Sequence, residues 1–125
     1  MVGPLLISLW VNENGLQEAL TRLLESAGFR VVLYHSGDTG LKKTTQTLPA
    51  AIIVDEKLED MSGQMAAVLA SRDRLLKTVP LLFLSSRPNI VGQVKLEYPS
   101  PYWIEKPFKP EQILEKLTLM IQSFG

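Results

Sequence analysis

The 125-residue sequence contains no cysteine and a single histidine, His35. Without cysteine there is no disulfide framework, thiolate zinc site or thiol nucleophile, and one histidine cannot form a histidine-cluster metal site. Net charge is lacking too, because thirteen Lys and Arg residues balance thirteen Asp and Glu residues. Since the bulk charge attracts neither nucleic acid nor an anionic membrane, we expect this domain to bind neither directly.

Long apolar runs are also missing from the sequence. The longest one, from Pro4 to Val11, is far shorter than the roughly 18 residues needed to cross a bilayer, and no basic segment precedes it. We therefore expect no membrane span and no export signal, with the cytoplasm as the default location. The length and the 46% hydrophobic content predict one folded domain over residues 1–125.

Short apolar runs alternate with amphipathic segments along the chain. Five runs have the length and composition of strands, at residues 5–11, 29–34, 50–54, 80–84 and 102–105. Helices are predicted from about residue 16 to Gly28, from 36 to Pro49, from Ser62 onward and from Pro110 onward, with a short irregular one within residues 89–97. In the first of these helices Gln17 is predicted to face outward. The predicted inward side chains of the other two clear helices are Met65, Val68, Leu69 and Leu76, and then Ile113, Leu114, Leu117, Ile121 and Phe124.

Strands buried on both faces and separated by helices indicate a parallel sheet covered by helices on both sides. In such sheets ligands bind beyond the carboxyl ends of the strands. The polar side chains at those ends are Asn12, Glu13, Asp55, Lys57, Ser85, Ser86 and Lys106. We therefore expect Asp55, Ser85 and Lys106 to converge at one edge of the sheet.

Three segments at these strand ends carry a resemblance to a known family. They are Ala51 to Asp55 followed by Asp60-Met61-Ser62-Gly63, the run from Pro80 to Ser85, and Trp103 to Phe108. Each is a weak match alone, but three at this spacing on the predicted strand ends are specific. Over nearly its whole length the sequence resembles a receiver domain of the two-component response regulators. The fold class is accordingly predicted to be α/β, a flavodoxin-like, doubly wound five-stranded parallel sheet in the order 2-1-3-4-5, with five helices of which the fourth is irregular.

The resemblance implies roles for individual residues. Asp55 matches the aspartate that accepts a phosphoryl group, Ser85 the switch hydroxyl that bonds a phosphoryl oxygen, and Lys106 the lysine that pairs with both. The Lys106-Pro107 bond lies where the family has a cis peptide. Trp103 matches an aromatic rotamer switch, with burial in the core as an equally open alternative. The alternatives for Asp55, Ser85 and Lys106 are a strand-end turn residue, a serine bonded to local backbone and a solvated lysine.

The loop after the first strand departs from the family pattern. Receiver domains carry adjacent acidic residues there that hold magnesium (Mg²⁺), and the register anchored on Gly28 puts Val11 and Asn12 at these positions. Because magnesium prefers carboxylate oxygens, Asp55 with Asn12 predicts a weak or lost site. A one-residue slip would bring Glu13 into the second acidic position, but the leucine spacing of the first helix argues against the deletion this requires.

Two further charged or titratable side chains have more than one interpretation. Lys57 lies two residues after Asp55 and is either a second ammonium that partly replaces the missing cation or a solvated side chain, which the sequence favours. His35, at the end of the second strand, is predicted to be structural.

The function predicted from these residues is that of a phosphorelay signalling module that is not an enzyme. Phosphorylation of Asp55 is expected to be weak or absent. The resemblance implies a sensor histidine kinase or phosphotransfer protein as partner. Two arrangements stay open, a stand-alone regulator and the regulatory part of a longer chain with an output domain. The first alternative is a fully active phosphoacceptor that uses Glu13 for the metal. The second, a flavodoxin-like carrier of flavin mononucleotide, is poorly supported because its phosphate would meet a loop without Ser or Thr.

Overall fold

The computed structural model of the chain describes residues 3–87 and 101–124. The strands are Leu6–Trp10 (β1), Arg30–Tyr34 (β2), Ala51–Asp55 (β3), Leu81–Ser85 (β4) and Pro101–Glu105 (β5). The α-helices within these residues are Asn14–Ser26 (α1), Gly37–Thr47 (α2), Gly63–Arg72 (α3) and Pro110–Phe124 (α4), with a 3-10 helix at Leu76–Thr78. The predicted irregular helix within residues 89–97 lies outside the described residues.

The strands form one parallel sheet in the order β2-β1-β3-β4-β5. This order confirms the predicted topology, and strand bounds differ from the predicted ones by about one residue, as is usual at element ends. The register pairs Asp55 with Leu84 and Ser85 with Glu105, so β3, β4 and β5 end side by side. The sequence-predicted polar loops thereby leave the sheet at a common edge.

Alternate residues of the strands feed two apolar clusters, one on each side of the sheet. Helices α2 and α3 cover one side, and α1 and α4 cover the other. Fully buried strand residues belong to each cluster: Trp10, Ile52, Val54 and Phe83 on the first side, and Leu9, Ile53, Leu82 and Leu84 on the second. No helix in the described part of the chain is long and apolar enough to span a membrane.

The predicted inward face of α3 is wrong. Met65 and Leu69 are 51% and 38% exposed. The helix instead turns its small residues, Ala66, Ala67 and Ala70, to the sheet, and all three are buried. Small side chains let the helix approach the strands closely. The alanines therefore face the sheet, although the larger residues of α3 also recur with a helical period.

Leu76, which was predicted to lie on α3, is buried but belongs to the separate 3-10 helix. The carboxylate of Asp73 accepts hydrogen bonds from the backbone N–H groups of Leu75 and Leu76 and starts that turn. In α4, Ile113 and Leu117 are buried as predicted, and Met120 is a buried residue that the pattern missed. Met120 belongs to the apolar cluster on the α1 and α4 side of the sheet.

Gln17 was predicted to face outward, but it is only 6% exposed. Its amide Nε2 donates hydrogen bonds to the carbonyl of Val11 and to Nδ1 of His35. A buried amide is stable when its donors find acceptors, and here both acceptors come from strand ends. The contact agrees with the structural role predicted for His35 and fixes the start of α1 against β1 and β2.

Trp10 is buried against α2, and two hydroxyl groups accept hydrogen bonds from its indole N–H. The Nε1–H group lies 2.8 Å from Oγ of Ser8 and 3.2 Å from Oγ1 of Thr44, and these two hydroxyls are 2.8 Å apart. Thr44 lowers the helix propensity of α2, but its buried hydroxyl is a second acceptor for the indole and a hydrogen-bond partner for Ser8. Gly40, one turn earlier, leaves room for the indole ring, because a Cβ atom there would lie 2.7 Å from two ring carbons.

We expect Gly40→Ala to destabilise the fold. In a solvated helix this change stabilises by about 1 kcal/mol, but here the new methyl group overlaps the indole of Trp10, which costs about 1–3 kcal/mol. Gly15→Ala in α1 is the matched control, since the nearest atom to its new Cβ is the flexible carboxylate of Glu13 at 3.0 Å. Urea unfolding of both variants measures the difference. Equal stabilisation by the two changes would show that the ring does not restrict α2.

Candidate functional site

The carboxyl ends of β1, β3, β4 and β5 surround an open cleft of about 810 Å³. This is the edge of the sheet at which parallel α/β proteins bind ligands. The described residues that line the cleft are Asn12, Glu13, Asp55, Glu56, Lys57, Leu58, Ser86, Arg87 and Lys106. The cleft therefore contains several carboxylates together with basic side chains.

Asp55, the last residue of β3, is 3% exposed, and its side chain is buried at the bottom of the cleft. Its Oδ1 atom lies 2.6 Å from Nζ of Lys106, which makes an ion pair. Among the described residues Oδ1 has no hydrogen-bond donor of good geometry, so the pair acts through its charges. A buried carboxylate is costly without a compensating cation, and Lys106 supplies one.

Gly63 brings the start of α3 directly onto the end of β3. Its N–H group donates a 2.9 Å hydrogen bond to the carbonyl of Glu56. A Cβ atom at this position would collide with the carbonyl oxygen of Asp55. Ser62 caps the helix by accepting a 3.1 Å hydrogen bond from the N–H of Met65. Only glycine fits here, and it sets the backbone that aims Asp55 into the cleft.

Lys106 reaches the cleft from the end of β5 and binds two carboxylates. The backbone N–H of Lys106 donates a 2.9 Å hydrogen bond to the carbonyl of Ser85. Its side-chain Nζ lies 3.2 Å from Oε2 of Glu56, in addition to its contact with Asp55. Partial burial disfavours the ammonium, but the contacts with Asp55 and Glu56 outweigh it and raise the pKa of Lys106 above its ordinary value. The bond to Pro107 is cis, as the resemblance implied.

Glu56 is the residue that the sequence reasoning missed. Its carboxylate accepts hydrogen bonds from the N–H of Ser86 over 3.1 and 3.2 Å and from Oγ of Ser86 over 2.9 Å. Partial burial raises its pKa, but the bonds from Ser86 and the contact with Lys106 outweigh it and hold the pKa below the ordinary value. The available signal was an acidic residue directly after Asp55. A continued strand would point it to the opposite face, but β3 ends at Asp55 and the chain turns.

Ser85 is fully buried at the end of β4, and its hydroxyl takes part in a local turn. Oγ donates to the carbonyl of Arg87 over 3.1 Å and accepts from the N–H of Arg87 over 2.9 Å. These bonds are those of the alternative interpretation, a serine bonded to nearby backbone. The role of Ser85 as a switch hydroxyl stays a prediction.

Two other predicted residues lie outside the ion-pair network. Trp103 pairs with Phe83 in the sheet and is 38% exposed, so the alternative of burial in the core is wrong and the switch role stays a prediction. The side chain of Lys57 is exposed, and the backbone of Lys57 forms an isolated antiparallel β-bridge with that of Ser62. Within residues 3–87 and 101–124 no ion pair joins Lys57 to Asp55, in agreement with a solvated side chain.

The β3–α3 loop is anchored to the start of α2 by Asp60. Its carboxylate accepts hydrogen bonds from the N–H groups of Gly37 and Asp38 over 2.7 and 3.0 Å. Burial raises the pKa of Asp60, but these backbone bonds together outweigh it and lower the pKa. The N–H of Glu59 also donates to the carbonyl of His35 over 3.0 Å. Together these bonds hold the segment that follows Asp55.

The donors at the end of β1 do not fit a magnesium site. Val11 is fully buried and apolar, and its carbonyl already binds Gln17. Asn12 is neutral, and Glu13 is exposed at the N-cap of α1, where its side chain makes no capping bond. Among the described residues no group of three His, Cys, Asp or Glu side chains could hold a metal ion. Magnesium dehydrates reluctantly and needs well-placed oxygens. The carboxylates of Asp55 and Glu56 are already paired with Lys106, and Glu13 is exposed on α1, so these residues are a poor donor set.

Residues 11–118 match the family of response regulator receiver domains. The chain belongs to this family. As a receiver domain it is 30% identical over 118 residues to the transcriptional regulatory protein CssR of Bacillus subtilis, covering 93% of this chain and 51% of the relative. It is 27% identical to the transcriptional regulatory protein CreB of Escherichia coli, covering 92% of this chain and 51% of the relative. The receiver domain thus spans about half the length of these relatives.

A solved receiver domain has the same fold. It belongs to the sensor histidine kinase PA1611 of Pseudomonas aeruginosa, and its structure has a magnesium ion coordinated in the active-site cleft. The TM-score is 0.86 at 21% identity, with 96% of this chain and 99% of that chain covered. At this identity the likeness concerns the fold alone, so the magnesium of that protein is not transferred to this cleft.

The lowered pKa of Glu56 predicts a pH dependence of stability. Because the folded-state pKa lies below the ordinary value of 4.5, the contacts of Glu56 add stability above that pH and lose it as the pH falls through the lowered pKa. Glu56→Gln should therefore reduce the acid loss of unfolding free energy. Urea unfolding at a series of pH values measures this slope, and Ser86→Ala, which removes one donor, should give an intermediate one. Equal slopes in all three proteins would mean that Ser86 and Lys106 do not stabilise the charged carboxylate.

Proposed function

We propose that this receiver domain is a phosphorelay signalling module whose acceptor is Asp55 and whose magnesium-dependent phosphorylation is weak or absent. The observation that carries the proposal is the buried carboxylate of Asp55, held 2.6 Å from Lys106 at the ligand-binding edge of the sheet. A buried acid paired with a lysine in a cleft is a common arrangement at functional sites. Val11 and Asn12, which follow β1 in place of an acidic pair, support weak or absent dependence on magnesium.

The charges around Asp55 support slow transfer. Phosphoryl transfer depends on positioning and on neutralising the charge of the equatorial oxygens. In this cleft one ammonium, that of Lys106, is shared by the carboxylates of Asp55 and Glu56. A dianionic group beside Asp55 would therefore compete with two carboxylates for this ammonium. The other basic side chains that line the cleft, Lys57 and Arg87, are exposed. Missing electrostatic stabilisation of this kind costs several kcal/mol, which lowers a rate by orders of magnitude. Hydrolysis of an acyl phosphate needs the same neutralisation, so it should be slow as well.

The implied partners follow from the family and from the lengths of the relatives. A phosphohistidine on a sensor histidine kinase or phosphotransfer protein would supply the phosphoryl group. The curated relatives are named transcriptional regulatory proteins and are about twice as long as the matched segment, which supports an output domain in addition to residues 1–125. We propose that nucleic acid is bound there and not by the receiver domain. The cytoplasmic location stays a prediction.

A second candidate is the fully active phosphoacceptor that uses Glu13 for the metal. The observation in its favour is that Glu13 and Asp55 line the same cleft. Its weakness is the position of Glu13 at the start of α1, beside a buried valine and a neutral asparagine. The flavin carrier gains no support, because the N-cap of α1, where a flavin phosphate would bind, is the carboxylate residue Glu13.

Intact-mass measurement after incubation with acetyl phosphate tests the proposal. We expect little phospho-Asp55 over minutes, with or without magnesium, and a long lifetime for any adduct that forms. Asp55→Asn is the control: it should form no adduct and should keep the fold. Rapid stoichiometric phosphorylation that needs magnesium and disappears in Asp55→Asn would refute the atypical receiver and favour the fully active one.

Restoring the acidic pair should restore a magnesium response. In the double variant Val11→Asp, Asn12→Asp, a carboxylate replaces a fully buried apolar side chain, so we expect a lower unfolding temperature without metal. Millimolar magnesium should recover that loss, because a ligand that binds only the folded state stabilises it. Thermal unfolding with and without magnesium measures the effect, with Asn12→Asp alone as the intermediate case. The double variant would contradict the account if magnesium left its unfolding temperature unchanged while the unaltered chain responded.

A further inference from the structure

Three donors from two strand ends converge on the carboxylate of Glu56. They are the ammonium of Lys106 at 3.2 Å, the N–H of Ser86 at 3.1 Å and Oγ of Ser86 at 2.9 Å. A cation, a backbone amide and a hydroxyl aimed at one point form a donor set suited to an oxyanion. Here the anion is a side chain of the protein itself.

We propose that Glu56 occupies, as an internal ligand, the position beside Lys106 where the family resemblance implies that a phosphoryl group binds. An incoming phosphoryl group must then displace Glu56 from Lys106 and Ser86. The inference rests on the proposed function only in locating the phosphoryl group beside Asp55. It adds a competitor for the same donors that the family resemblance does not assign.

The burial and the contacts of Glu56 separate it from an ordinary surface ion pair. Its side chain is 15% exposed, against 62% and 73% for the solvated pair of Asp38 with Lys42. It also links three elements, since Glu56 follows β3, Ser86 follows β4 and Lys106 follows β5. Exposed pairs contribute little to stability, whereas partly buried, charge-assisted hydrogen bonds are stronger and better defined. Glu56 therefore holds the loop after β4 against the end of β3.

Occupation by Glu56 has two consequences for an external oxyanion. The donors are already satisfied, so the anion must break three contacts before it makes its own. The charge of Glu56 also repels a second anion at short range. Both effects lower the affinity of the cleft for phosphate, and both disappear when the carboxylate is removed.

The test is a titration of the protein with inorganic phosphate, followed by the backbone amide resonances of Ser86 and Lys106. In the unaltered chain we expect no saturable shift. Glu56→Ala should show a saturable shift of both resonances, with an apparent affinity at least tenfold higher, which corresponds to about 1.4 kcal/mol. Glu59→Ala is the matched control because Glu59 is an exposed carboxylate in the same loop, and its titration should resemble that of the unaltered chain.

Further variants distinguish an oxyanion site from a merely structural bond. Adding Lys106→Ala to Glu56→Ala should abolish the phosphate shift. Glu56→Gln retains an acceptor for Ser86 but loses the charge, so its phosphate affinity should lie between those of the unaltered chain and Glu56→Ala. Circular dichroism checks that each variant is folded.

Two results would overturn the inference. One is a folded Glu56→Ala variant without a saturable shift, and the other is equal phosphate affinity in that variant and the unaltered chain. The titration is repeated in Asp55→Asn, in which transfer to the acceptor is impossible, and there Glu56→Ala should still produce the shift. Acetyl phosphate labelling reports on Asp55 alone, so the loss of one result without the other shows which proposal has failed.

Discussion

The ammonium of Lys106 neutralises a carboxylate that the sheet would otherwise bury without a partner. Asp55 lies at the end of a strand with helices on both sides, and 3% of it is exposed. Water solvates a charge poorly at this exposure, so the protein supplies a cation. Strand β5 delivers it because the parallel register brings Lys106 to the same edge of the sheet, where its backbone also bonds to Ser85.

The remaining features of the site arrange themselves around this pair. Gly63 allows the first turn of α3 to touch the backbone of Asp55, and Asp60 ties the intervening loop to α2. Glu56 forms a second ion pair with Lys106, and its hydrogen bonds with Ser86 connect it to the loop after β4. Two carboxylates therefore already share the ammonium of Lys106, and for this reason we expect a further anion beside Asp55 to bind weakly.

The topology and the meeting of Asp55 with Lys106 could be predicted from the sequence, because both depend on patterns that do not require packing detail. Apolar runs and their spacing predict a parallel sheet, and strand ends predict the edge at which Asp55 and Lys106 meet. The orientation of α3 was not predictable in this way. Leu69 and Ala70 both fit a helical period, and the choice of the small residue depends on how closely the helix approaches the sheet.

Polar residues were the other source of error. The sequence pattern places Gln17 at the surface, but the carbonyl of Val11 and the ring of His35 give its side-chain amide two acceptors in the fold. Glu56 was overlooked because its direction depends on where β3 stops, and strand ends are poorly determined by sequence. In both cases the deciding partner is distant in the chain or belongs to the backbone, so hydropathy alone gives the wrong environment.

We propose that the cleft around the Asp55–Lys106 ion pair binds no magnesium ion at millimolar concentrations. Calorimetric titration of the unaltered chain with magnesium chloride tests this most directly. The account predicts only the heat of dilution up to millimolar concentrations, in the unaltered chain and in Asp55→Asn alike. Saturable binding of one ion per chain in that range, lost in Asp55→Asn, would contradict it.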